Sequence, residues 1–272
     1  CREIDIVVHL AASNAQLCER DPVLGFQSNV IGTRHLIDSA VLHSVEQFVF
    51  ASTVHVYGET DKEVNEDSKC HPITNYSQFK RRAEESLEKS VRESDLTGIV
   101  LRLSNAIGHP VSKQVDCWHL ITNDLVRQAI CNGSFNLNSN SLVRRDFIPI
   151  RETCQVIMRF LEVSNRESFS VFNLSSGLSR PLHWLVDLIS ERLKHHERTR
   201  DRGVNLQWNE SRRQYKNQKI FCNEKLLSHL KVDPFSTDGI VTEVDELIEK
   251  TYVWFGGETP NPRVSQWGND DG

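Results

Sequence analysis

An α/β architecture built on a parallel sheet is the fold class this sequence predicts. Short apolar, β-branched runs at Ile4–Leu10, Phe48–Ser52 and Gly98–Leu103 alternate with stretches of helical periodicity. Such nearly continuous apolar runs fit strands of a parallel sheet, which are buried on both faces. Strands separated by helices in this way call for right-handed crossover connections.

Each element has a local reason. After the first run, Asp21-Pro22 supplies an N-cap followed by proline at the first helical position, and a helical pattern continues through Val30, Leu36, Ile37 and Ala40. The second run ends at Thr53. A polar loop from Gly58 to Pro72 leads to a helix carrying Tyr76, Lys80, Ala83 and Leu87, and the third run ends at Ser104-Asn105. Beyond Gly108-His109-Pro110 the texture changes. A helix near 120–130 is followed by short extended pieces, the stretch Arg144-Arg145-Asp146-Phe147-Ile148, a helix over about 151–163 and a strand at Val171–Leu174. Pro181 starts another helix, and a last one runs from Val241 to Phe255. Residues 194–202, rich in both signs of charge, read as a solvated helix end and loop, and residues from Gly256 onward as a tail.

Composition narrows the function classes. Of 272 residues, 25% are charged and 38% hydrophobic, which suits a soluble globular chain with ample length for a core. The net charge of -5 gives no electrostatic case for nucleic acid. No apolar run approaches the roughly 20 residues of a membrane span. The seven cysteines are scattered, without CxxC or zinc-finger spacing, so no metal site is expected. Cys1-Arg2-Glu3-Ile4-Asp5-Ile6 reads almost directly into a strand rather than as a signal peptide, and a cytoplasmic protein with reduced thiols is expected.

The chemistry centres on Tyr76 and Lys80. Four residues apart on a helix, they share a face. Free tyrosine titrates near ~10, and an adjacent cation stabilises its phenolate, giving a general acid/base usable near neutral pH. That spacing is common by chance. Thr53, a hydroxyl at a strand end 23 residues earlier, turns it into a proton-transfer and hydride-chemistry constellation.

Further stretches fall in order along the chain: Val8-His9-Leu10-Ala11-Ala12, Asn29-Val30-Ile31-Gly32-Thr33, Phe50-Ala51-Ser52-Thr53-Val54-His55-Val56-Tyr57-Gly58, Leu101-Arg102-Leu103-Ser104-Asn105, Arg145-Asp146-Phe147-Ile148 and Phe172-Asn173-Leu174-Ser175-Ser176-Gly177. With Tyr76-xxx-Lys80, they resemble the extended short-chain dehydrogenase/reductase family, specifically its NAD-dependent nucleotide-sugar epimerases and dehydratases, over roughly residues 4–195. The resemblance implies a Rossmann-like parallel sheet with a smaller C-terminal substrate-binding α/β lobe. It implies a partial NAD(P)-binding unit over 1–110, a nucleotide-sugar lobe over 111–255 with segments returning to the sheet, and a tail over 256–272.

It also implies roles. Tyr76 would be the acid/base on a sugar hydroxyl, Lys80 would hold the nicotinamide ribose and lower the phenol's pKa, and Thr53 would align the reacting sugar oxygen. Leu10, Ala11, Ala12, Ala51 and Ser52 would line NAD or NADP along with Tyr76 and Lys80. Asn105, Asn123 and Arg145 would contact the nucleotide sugar, arginine matching a pyrophosphate through paired hydrogen bonds. Asn29 would be a structural polar residue near the catalytic helix. Alternatives stand beside these: an ordinary strand end for Leu10–Ala12, a helix-surface position for Asn123, a structural ion pair for Arg145 and helix packing for Asn29. A homodimer through a four-helix bundle containing the Tyr76 helix is a further implication.

Two departures refine the resemblance. Val54 and His55 stand where the 4,6-dehydratase branch carries Asp and Glu, so an epimerase, reductase or decarboxylase is favoured; His55 itself reads as structural. The chain also has no Gly-x-x-Gly-x-x-Gly, the turn with which the family opens to hold the cofactor pyrophosphate. An N-terminally incomplete sheet with an apolar edge and a helix-less face is therefore expected. The alternative function is a catalytically silent relative acting as a binding or scaffold protein.

Overall fold

The computed structural model describes residues 1–137, 141–162, 167–199, 205–208, 220–231 and 234–256. The first half of the chain runs through β1 (Ile6–His9), α1 (Ala15–Arg20), α2 (Pro22–Phe26), a π-helical segment (Gln27–Gly32), α3 (Thr33–Leu42), β2 (Gln47–Thr53), a 3-10 turn (Val54–Tyr57), β3 (Glu63–Val64), α4 (Asn75–Arg92), β4 (Thr97–Leu103) and β5 (Asn105–Ile107). Then come α5 (Ile121–Asn132), β6 (Ser134–Leu137), β7 (Arg144–Pro149), α6 (Ile150–Glu162), β8 (Phe169–Leu174), β9 (Ser179–Pro181), α7 (Leu182–His195), β10 (Asn205–Trp208), β11 (Ile220–Phe221), α8 (Glu224–Leu230) and α9 (Thr237–Phe255). The end of the charged stretch, 200–202, and the tail from 257 lie outside the described residues.

The α/β class holds. Four strands form an all-parallel sheet in the order β1-β2-β4-β8, with Val8 opposite Val49, Phe50 opposite Val100 and Leu101 opposite Phe172. Both faces are covered. Ile37, Phe48, Phe50, Leu87 and Val100 pack α3 and α4 on one side, and Val49, Leu101, Phe160, Phe172 and Leu226 bring α6 and α8 onto the other. A helix-less face was expected; α6 and α8, contributed from later in the chain, cover it instead. A second core lies in the C-terminal half, where Leu125, Phe147, Leu185 and Leu247 join α5, β7, α7 and α9.

Local signals explain the helices that carry the site. Asp21 accepts from the Leu24 amide at 3.0 Å, capping α2 with Pro22 in its first turn. Thr74 and Ser77 form a capping box at the start of α4: the Ser77 amide donates to Thr74 Oγ1 at 3.2 Å and the Thr74 amide to Ser77 Oγ at 3.1 Å. Gly58 closes the 3-10 turn at φ 72°, where a Cβ would lie 2.0 Å from the His71 carbonyl oxygen. No helix of the described residues is long and apolar enough to cross a membrane.

Candidate active site

The site forms where β2 ends and α4 begins. Thr53, the last residue of β2, is buried, and its Oγ1 accepts from the His55 amide at 3.2 Å, capping the 3-10 turn. That bond uses one lone pair and leaves the hydroxyl proton free for another partner. Tyr76 and Lys80 occupy the first two turns of α4. The Lys80 ammonium, 3% exposed, donates to the Ala51 carbonyl at 2.7 Å, two residues before Thr53. It also lies 4.9 Å from the centre of the Phe50 ring and 5.9 Å from that of Tyr76. Lys80 thus ties the first turns of α4, with Tyr76, to the end of β2 just before Thr53.

Electrostatics depart from expectation. Lys80 was expected to lower the Tyr76 phenol; burial, with the Cys18 thiol adding to it, pushes that phenol up to about 12. Burial likewise takes the Lys80 ammonium down to about 8. The main cause of both shifts is the cost of burying a charge. Among the described residues the Tyr76 hydroxyl makes no hydrogen bond, and Lys80 uses one of its three N–H groups. These unspent donors fit a ligand rich in hydroxyl groups, such as the vicinal diol of a ribose.

The other expected site residues fall in three places. Leu10, Ala11 and Ala12 are exposed just past the end of β1, where small side chains leave the backbone approachable. Ala51 gives its carbonyl to Lys80, while the Ser52 hydroxyl turns toward α4 and donates to Glu84. Asn105, Asn123 and Arg145 lie with the second core. Asn105 donates to the Asp146 carbonyl at 2.8 Å. Asn123 is buried, not on a helix surface; its Nδ2 donates to the Gly108 carbonyl at 3.3 Å and its Oδ1 has no partner among the described residues. Arg145 is half-buried, and burial lowers its pKa; among the described residues it has no ion pair.

Sequence reasoning missed the polar network beneath the site. Ser52, Arg102 and Asn173 stand in register across β2, β4 and β8, one residue below the Thr53 row. Arg102 donates from Nη1 to the Tyr57 hydroxyl at 2.9 Å and pairs through Nη2 with Glu84 of α4 at 2.8 Å. Tyr57 in turn donates to Asn173 Oδ1 at 2.7 Å. Asn29 was expected as a structural polar residue near the catalytic helix or as a helix-packing residue. Its Oδ1 accepts from the Ser13 amide at 2.7 Å and its Nδ2 donates to the Ser13 carbonyl at 3.0 Å, fixing the loop that follows Leu10–Ala12. An arginine inside an apolar strand and a glutamate one turn past Lys80 were the available signals.

The profile of the NAD dependent epimerase/dehydratase family matches residues 1–175, every strand and helix just described around the Tyr76–Lys80 pair included. The chain belongs to this family. It is 25% identical over 238 residues to a UDP-glucose 4-epimerase of Rhizobium meliloti (strain 1021), covering 82% of this chain and 70% of the relative. It is 27% identical to a dTDP-6-deoxy-L-talose 4-dehydrogenase (NAD(P)(+)) of Kitasatospora kifunensis, covering 69% of this chain and 58% of the relative. Many of the curated relatives are therefore matched over only about half to three fifths of their length. Among solved structures, MoeE5 in complex with UDP-glucuronic acid and NAD superposes with a TM-score of 0.78 at 21% identity, over 93% of this chain and 81% of that one. The UDP-glucose 4-epimerase of Thermotoga maritima with UDP-glucose gives 0.77 at 22% identity, over 92% and 78%. At such identities the structural likeness establishes the Rossmann-like fold. The nicotinamide cofactor expected from the sequence is that of the family, and neighbours have been solved with NAD and with NADPH.

Proposed function

We propose that this family member modifies a nucleotide sugar by hydride transfer, with Tyr76 as the acid/base, as an epimerase, reductase or decarboxylase. The observation that carries the reading is the seating of Lys80 on the Ala51 carbonyl beside Tyr76, two residues from Thr53. NAD, when bound, supplies the hydride acceptor. Lys80 would offer its two remaining N–H groups to the ribose, and the exposed backbone at Leu10–Ala12 would border the cofactor. Thr53 keeps its hydroxyl proton for the reacting sugar oxygen, and Tyr76 takes or returns the proton of that sugar hydroxyl.

Arg145 supports the nucleotide-sugar half of the reading. A half-buried guanidinium without a counter-ion among the described residues is poised for an anion such as a pyrophosphate. Asn105 and the unpartnered Oδ1 of Asn123 would add polar contacts in the same lobe. Val54 is buried and apolar, so the place of a dehydratase acid is filled by a group that cannot donate a proton. The division near residue 110 into a cofactor-facing and a sugar-facing part belongs to this proposal, as does a homodimer through the α4 face.

The experiment is calorimetry with NAD and NADP on the chain, followed by a coupled assay with UDP- and dTDP-hexoses. Cofactor binding and a turnover lost in Tyr76→Phe support the proposal. A folded chain that binds neither cofactor sinks it and leaves the scaffold reading.

A further inference from the structure

Consecutive residues of β2 hold consecutive turns of α4. The Ala51 carbonyl takes the Lys80 ammonium at 2.7 Å, and the Ser52 hydroxyl donates to Glu84 Oε1 at 2.5 Å. Glu84 lies four residues past Lys80 on the same helix face and is 1% exposed. Its carboxylate also accepts from Arg102 Nε at 3.1 Å, Arg102 Nη2 at 2.8 Å and Arg81 Nη1 at 2.9 Å. A carboxylate gripped by four donors from three elements cannot slide or rotate without breaking several charge-assisted bonds.

We propose that Glu84 is a positioning residue for the proton-transfer pair: it fixes the register of α4 on β2 and keeps Lys80 charged and seated on Ala51. The inference deepens the function proposed above and rests on it for the catalytic use of Lys80. The titratable groups that act on or face Lys80 are His9 of β1, Cys18 of α1, and Tyr76 and Glu84 of α4. Burial lowers the Lys80 pKa; Cys18 raises it in opposition, and Glu84, the one carboxylate among them, raises it as well. A residue that merely anchored Arg102 would affect stability and leave the titration of Lys80 where it is.

The test follows Lys80 by NMR in the full chain labelled with 13C-lysine, its signal assigned by its loss in Lys80→Arg. With its pKa at about 8, Lys80 is half protonated at pH 8 in the parent protein. In Glu84→Gln the protonated fraction at pH 8 is expected to fall below that of the parent. Because that change strands the Arg102 charge, Glu84→Gln/Arg102→Met provides a background with both charges removed, in which a smaller fall in the same direction is expected, since the Arg102 cation no longer opposes protonation of Lys80. Glu84→Asp, which keeps the charge, should restore most of the fraction. An unmoved Lys80 titration in the folded variants overturns the proposal. So does loss of the fold in both, since Glu84 would then serve the whole structure and not Lys80. The readout uses neither cofactor nor substrate, so a parent protein without turnover would sink the catalytic reading separately.

Discussion

Arg102 and Glu84 meet at 2.8 Å with 2% and 1% of their side chains exposed, between the middle of the sheet and the helix that carries Tyr76. Taking both charges out of water is costly, and their mutual attraction offsets that cost only while both are present. Arg102→Met alone is expected to destabilise the fold by about 3–5 kcal/mol, because it leaves Glu84 buried without its main partner. The double variant Glu84→Gln/Arg102→Met should lose much less. Urea unfolding of the three proteins checks the ordering; equal losses in single and double variants would refute it.

Tyr76→Phe removes the proposed acid/base and keeps the ring that packs against Cys18 and Phe79. Turnover is expected to drop by about 10²–10⁴-fold, the usual size of a general acid/base contribution, with the NAD affinity within a few-fold of the parent. A variant retaining more than a tenth of parental turnover would remove Tyr76 from the chemistry.

Arg145 separates binding from stability. Without an ion pair among the described residues, its replacement by Met should leave the melting temperature level or raised. Binding of a UDP-sugar should weaken by roughly 10–100-fold, as for loss of a charge-assisted contact. A melting temperature lowered by several degrees would identify a structural role instead.

Asp146 predicts a pH dependence. It is fully buried, accepts from the Ser176 amide and hydroxyl, and is pushed by burial from 3.8 to about 6. The folded state thus binds a proton more tightly than the unfolded one. The stability this proton confers is fully present below about pH 4 and is lost as pH rises through 6. Asp146→Asn is expected to flatten this group's contribution between pH 4 and 7, relieving on the order of 2–3 kcal/mol at neutral pH. Denaturation midpoints of parent and variant that run parallel across that range would contradict the assignment.

Much of the fold was legible because burial on both faces writes itself into strands such as Phe48–Ser52, and because Asp21-Pro22 and Pro181 mark helix starts. Thr53, Tyr76 and Lys80 were legible as an ordered set, and Lys80 does sit beside Tyr76 on the carbonyl of Ala51, two residues before Thr53. Helix α9 starts at Thr237 rather than Val241, because Ser236 caps it through the Gly239 amide at 2.9 Å. Gly239 sits against the Glu152 side chain, a tertiary contact to which its sequence neighbours gave no clue. The electrostatics were illegible for a similar reason. Spacing brings Tyr76 and Lys80 together, but the depth at which they sit decides both pKa values, and depth comes from packing contributed by α1, the π-helical segment and β2.

Helix α4 changes purpose along its length: Tyr76 and Lys80 for the proposed chemistry, Glu84 for the polar row, then Leu87 and Val91 for the apolar core. At about 1.5 Å per residue these tasks are strung along some 22 Å of one stiff rod. Its far end is therefore a handle on its near end. A methylene gained or lost at Leu87 loads that rod against its Glu84 clamp, so a substitution deep in the hydrophobic interior is expected to show in the proposed proton transfer as well as in the melting temperature.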